Sequence, residues 1–266
     1  MAKPAKRTLP KADPSIVPIL NNPAGRPVEY AVLCGPEDAA AVWAAHELTR
    51  RGLPVRVVTI EELVYSASLT HRLSADGSTV AVRLADGSIL GPGLCGTLNR
   101  IVRLPRAHLA ATDEKDRDYV LSELHAVLTS LLFALPGVVV GRADPRGLSG
   151  AWWRPAEWLV AAGRSGLISV GYRSGGCDEI SGRQTVLVVG AAVLTPSGVD
   201  IPTDVVVGCQ RLAERHGGGL LGLDFAVEGS TWAFERATPW PDLRPGGALL
   251  ADALHATLLS REPVPA

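Results

Sequence analysis

Two carboxylates near the C-terminal end of the chain stand where they could share one task. Asp224 lies in Gly222-Leu223-Asp224-Phe225, and Glu235 follows in Phe234-Glu235-Arg236-Ala237. Apolar alternation predicts strands over Leu220–Val227 and Thr231–Arg236, with Glu228-Gly229-Ser230 as the turn between them. An acid on each arm of one hairpin can converge on one side of a sheet. That geometry suits a hard divalent cation and the phosphates it carries. By strict alternation Arg236 falls on the face opposite Glu235. Thr238 offers one further oxygen.

A second group closes the predicted strand Gly96–Ile101. Asn99, Arg100 and Arg103 sit at a strand end, where α/β sheets bind ligands, and a guanidinium there can clamp a carboxylate or phosphate. The competing use is an ion pair to Asp116, Asp118 or Glu123. Arg142 and Arg146, flanking Asp144-Pro145, face the same choice. Trp232 and Trp240, the latter between Pro239 and Pro241, suggest an exposed apolar lip for a protein partner or a second copy of the chain. Trp152, Trp153 and Trp158 have no basic stripe around them and read as packing aromatics rather than a base-stacking platform.

The bulk numbers narrow the classes. The 266 residues are 47% hydrophobic and 20% charged, with a net charge of -1, which exerts no general pull on nucleic acid or membrane. Cys34, Cys95, Cys177 and Cys209 are scattered without a metal-type spacing or a disulfide pattern, as in a reducing cytoplasm. No run of about 18 apolar residues predicts a membrane span. Residues 1–27, rich in lysine and proline, read as a disordered basic tail.

The elements that must carry these side chains follow from periodicity. Glu29–Cys34 (strand), Glu37–Arg51 (helix) and Val55–Ile60 (strand) form a β-α-β unit, hence a parallel sheet. Its first turn, Gly35-Pro36-Glu37-Asp38, lacks the glycines of a dinucleotide site, and its acids complement the helix dipole. His71–Leu90 alternates around two Ala-Asp-Gly-Ser turns, a meander. Asp116–Leu135 is the longest helix, with Tyr119, Leu124, Val127, Leu128 and Leu131 on one face. Strands follow at Val138–Val140, Gln184–Val189 and Ala191–Leu194. Helices follow at Trp153–Ala162, Asp204–His216 and Ala248–Leu259.

This order resembles the ATP-grasp ligases, of the glutathione-synthetase-like kind. The Asn-Arg strand end, the helix bearing Tyr119 and Glu123, Val138-Val139-Val140-Gly141-Arg142, Val188-Val189-Gly190-Ala191, and Gly-x-Asp followed by Glu-x-Ala and a Pro loop carry the resemblance. It implies a pre-ATP-grasp parallel-sheet domain over 28–104 and a truncated ATP-grasp-like α+β core over 105–266. It implies Mg²⁺ on Asp224 and Glu235, and ATP beside it.

Three departures weigh against that chemistry. The family's Glu-x-Asn has Ala237 at its third position. The phosphate-cradling lysines are missing, since Lys115 is the last lysine in the chain. The lid subdomain would have to fit within about Ile168 to Arg183, a length that joins strands but folds no subdomain. The expected function is therefore a non-catalytic accessory or scaffold that binds a protein or peptide in a peptide or natural-product modification pathway, with no cofactor. The alternative is an ATP-dependent carboxylate–amine ligase with Mg²⁺ and an arginine-based phosphate site.

Overall fold

The structure is a computed structural model and describes residues 29–75, 77–105, 109–110, 112–169 and 182–260. The expected tail and most of the segment compared with a lid, including Cys177, lie outside these residues. Among the described residues eleven strands form three sheets. The β-α-β unit appears as β1 (Tyr30–Cys34), α1 (Ala39–Arg50) and β2 (Val55–Thr59). A short helix, α2 (Ile60–Val64), starts on a capping box in which Thr59 and Glu62 bond each other's backbone. The meander is β3 (Ser68–Ser74), β4 (Gly77–Arg83) and β5 (Ile89–Leu90). β6 (Gly96–Asn99), α3 (Arg117–Phe133) and β7 (Val138–Val140) follow.

The first sheet is parallel throughout, in the order β2-β1-β6-β7. Its fourth strand comes from beyond residue 104, so the parallel sheet draws on both sides of the boundary expected there. Gly141 ends β7 with φ +80, and a Cβ at that position would collide with the Asn99 carbonyl oxygen. The buried side of α3 is Leu128, Leu131 and Leu132, with Leu124 partly buried beside them. Tyr119 and Val127, expected on that face, are exposed.

Past β7 come α4 (Pro155–Arg164), β8 (Arg183–Val189), β9 (Ala192–Leu194) and α5 (Thr203–His216), then β10 (Leu220–Glu228), β11 (Thr231–Thr238) and α6 (Gly247–Leu259). Pro155 opens α4, where its missing N–H costs nothing, and Gly217 stops α5 in the left-handed conformation. The second sheet is antiparallel, in the order β11-β10-β8-β9. One face packs Val186, Val188, Leu223, Phe225 and Phe234 against α4 and α5. On the other face, Leu187, Val189 and Leu220 join α6 and the outer side of β1 and β6 in one hydrophobic cluster. That shared cluster fixes the two sheets against each other. Among the described residues no helix is long and apolar enough to cross a membrane.

Candidate functional site

The acid pair lies on the outer face of the antiparallel sheet, beyond the area α6 covers. β10 and β11 pair with Asp224 opposite Arg236 and Phe225 opposite Phe234, so Glu235 is an extra residue, a β-bulge. The bulge changes which way the side chains point. Phe234 and Ala237 both pack toward the α4–α5 core, and Glu235 and Arg236 between them both point outward. Strict alternation had put Arg236 on the opposite face. It instead shares one with both acids.

All of these charges are committed to one another. Asp224 accepts from Thr185 Oγ1 at 2.8 Å through Oδ1 and from Arg236 Nε at 2.6 Å through Oδ2. Arg183 stands opposite Ala226 and reaches across that small side chain to donate from Nε to Glu235 Oε2 at 2.8 Å. Ala237 stands opposite Leu223 and packs against the core, away from the acids. A side chain at 237 thus points away from the place where a third metal ligand would be needed. Among the described residues no three His, Cys, Asp or Glu side chains cluster as a metal site. Mg²⁺ takes near-octahedral oxygen ligation and carries phosphate, and this row offers two acids already paired with guanidinium groups. The donor set does not fit the metal.

The strand-end group is also built into the fold. Asn99 is buried; its amide donates to the carbonyl oxygens of Gly141 at 2.9 Å and Leu148 at 2.6 Å, and its Oδ1 accepts from Ile101 N. Both N–H donors and the oxygen are engaged. Arg100, 2% exposed, pairs with Asp38 through Nε at 2.9 Å and Nη2 at 3.3 Å, and donates from Nη1 to Pro241 O at 3.0 Å. Its partner is neither Asp116 nor Asp118 nor Glu123. Asp38 also accepts from Ala41 N as the N-cap of α1. Trp240 donates from Nε1 to Asp38 at 3.3 Å, and its ring lies 5.3 Å from the Arg100 guanidinium carbon. The end of the parallel sheet is closed by the chain's own carboxylate. Arg142 lies over the Phe133 ring, donates to Phe133 O, and has a buried Nε without a partner.

The expected aromatic lip is not formed. Trp232 is buried edge-to-face on Phe225, while Trp240 lies past the other end of β11 over Arg100. The two rings thus form no common surface for a second copy of the chain. His216 stacks on Trp158 and meets Trp153 edge-on, with Nε2 on Ala151 O at 2.9 Å and Nδ1 buried without a partner. Burial pushes its pKa down; the bond to Ala151 and the charge of Asp144 oppose that more weakly.

Solved structures share the fold. A RiPP-associated ATP-grasp ligase from Chryseobacterium gregarium, in complex with ADP and a leader and core peptide, superposes with TM-score 0.67 at 10% identity, over 89% of this chain and 98% of its own. The fold is that of the ATP-grasp ligases. The macrocyclase MdnC of Microcystis aeruginosa, bound with precursor peptide MdnA, matches the ATP-grasp-like chain with TM-score 0.64 at 10% identity, covering 87% and 100% of the two chains. The ATP-grasp ligase PsnB, complexed with a minimal precursor variant, Mg and ADP, gives 0.61 at 16%, covering 86% and 98%. No family model matches the chain, and no curated protein matches it by sequence.

Sequence reasoning missed the partners rather than the acids. Asp38, Arg183 and Thr185 complete the two sites, and each lies far along the chain from the residue it holds. Only Asp38 carried a signal, as an acid beside the first glycine turn.

Proposed function

We propose that this ATP-grasp-like protein is a non-catalytic accessory or scaffold that binds a peptide or protein partner in a peptide-modification pathway. One observation carries the reading. Arg236 and Arg183 occupy the carboxylates that would hold Mg²⁺, and Ala237 faces the core. The peptide context draws on the relatives in fold, whose structures hold a leader and core peptide or precursor peptides. The free thiols of Cys34, Cys95 and Cys209 fit a cytoplasmic setting.

Calorimetry with Mg²⁺ and ATP on wild type and on Asp224→Ala/Glu235→Ala tests it. The expected result is no binding heat at millimolar nucleotide for either protein. Micromolar binding that vanishes in the double variant would overturn the reading. The chain would then be an ATP-dependent carboxylate–amine ligase that uses Arg183 and Arg236 beside the phosphates.

A further inference from the structure

A cleft of about 730 Å³ opens between α4, the last turn of α5 and the loop that follows β7. Its size is that of a ligand pocket, and it lies on the α4–α5 side of the antiparallel sheet, opposite the acid row. Trp153 lines it, and Val160 presents an exposed apolar surface. Its two acids are engaged by the chain itself. Glu157 accepts from Arg154 N at 2.7 Å and from Arg146 Nη1 at 2.8 Å, and Asp144 accepts from Arg146 N at 2.8 Å. The backbone bond to Arg154, then Arg146, holds the Glu157 carboxyl below its ordinary range.

Two lining charges remain, both cationic. Arg164 and Arg215 are exposed and have no acid partner among the described residues. Nor are they needed to cap their helices. The final carbonyls of α4 are met by Ser165, Gly166 and Leu167, and α5 ends on Gly217 N bonding to Ala213 O. The cleft therefore combines an apolar wall with two guanidinium groups that no described residue engages.

We infer that this cleft binds an acidic peptide segment of a partner, with carboxylates on Arg164 and Arg215 and an apolar side chain against Trp153 and Val160. The assignment rests on the peptide-partner reading and adds to it the chemistry of the partner. Residues 1–28 of this chain carry Lys3, Lys6, Arg7, Lys11 and Arg26 against Asp13, the opposite charge to the one this cleft favours.

The test is fluorescence anisotropy with a labelled hexapeptide of alternating leucine and glutamate, beside its leucine–glutamine counterpart. The glutamate peptide is expected to bind more tightly. Arg164→Gln/Arg215→Gln should weaken it roughly two- to fivefold per arginine, the scale of an exposed ion pair. Arg72→Gln, on the three-stranded sheet, should leave it unchanged. Arg164→Glu/Arg215→Glu should instead prefer a leucine–lysine hexapeptide, a gain that a misfolded variant cannot show. Binding that survives the double Gln substitution overturns the cleft and leaves the partner reading standing. Failure of both peptides to bind wild type overturns the assignment of an acidic segment. Nucleotide calorimetry judges the non-catalytic reading separately.

Discussion

Asp38→Asn separates the charge of the strand-end site from its shape. Asparagine has nearly the same size and keeps an oxygen for Ala41 N, so the cap of α1 survives. What is lost is the negative charge opposite Arg100, whose side chain is 2% exposed against 5% for Asp38. Arg100 keeps Pro241 O and the Trp240 ring, which are neutral. Leaving one partner of a buried pair uncompensated costs about 3–5 kcal/mol. At about 2–4 °C per kcal/mol for a domain of this size, Tm should fall by roughly 6–20 °C. Urea denaturation followed by far-UV circular dichroism gives the free energy directly. Arg100→Met and the double variant close the cycle, and the double should be less destabilised than the sum of the two singles. A loss below about 1 kcal/mol, the value of a surface pair, would refute the claim that this carboxylate seals the end of the sheet.

The bulge makes a prediction that resemblance alone would get wrong. Ala237→Asn restores the family's Glu-x-Asn in sequence, yet its amide would enter the apolar cluster beside Leu223. It should confer no Mg²⁺–ATP heat in calorimetry and should destabilise by about 1–3 kcal/mol in denaturant; a gain of nucleotide binding would show that the side chain turns outward. His216 predicts a pH dependence. Its folded pKa is depressed by burial, so the unfolded chain binds the proton more readily. The stability it contributes is complete above about pH 6.5 and is lost as pH falls through the folded value. Urea midpoints measured on either side of that range should fall toward acid in wild type, and less steeply in His216→Phe.

Local periodicity made the frame legible. Alternating, helical and all-apolar patterns placed β1-α1-β2, β7, α5 and the β10–β11 hairpin within a few residues: α1 and α5 bury one regular face, while β1 and β7 are short apolar runs buried on both. The face of α3 was readable too. Leu124, Leu128, Leu131 and Leu135 keep a strict helical spacing and Tyr119 breaks it, whereas Val127 fits the spacing and is exposed all the same. Trp232 carried its own signal, since on an alternating strand it shares a face with Phe234, which no surface would favour. The bulge had no such signature. Its extra residue decides whether Arg236 competes with a metal or stands on the other side of the sheet. Long-range pairs were equally silent: Arg100 meets an acid 62 positions earlier, and Arg183 meets one 52 positions later.

Arginine explains why both expected sites close in the same manner. A guanidinium is planar, permanently charged and able to donate to two oxygens at once, so it satisfies a half-buried carboxylate more completely than a lysine ammonium would. Arg100 donates to both oxygens of Asp38 at the end of the parallel sheet, and Arg236 and Arg183 each donate Nε to one carboxylate oxygen on the hairpin face. Each pairing satisfies a carboxylate with a charge fixed in the fold. The interaction is intramolecular and does not depend on ligand concentration. A nucleotide would have to displace these guanidinium groups before its metal met either acid, and its phosphates would still find no lysine after position 115. Arg164 and Arg215 are different. They line an open cleft, and no acid among the described residues answers them.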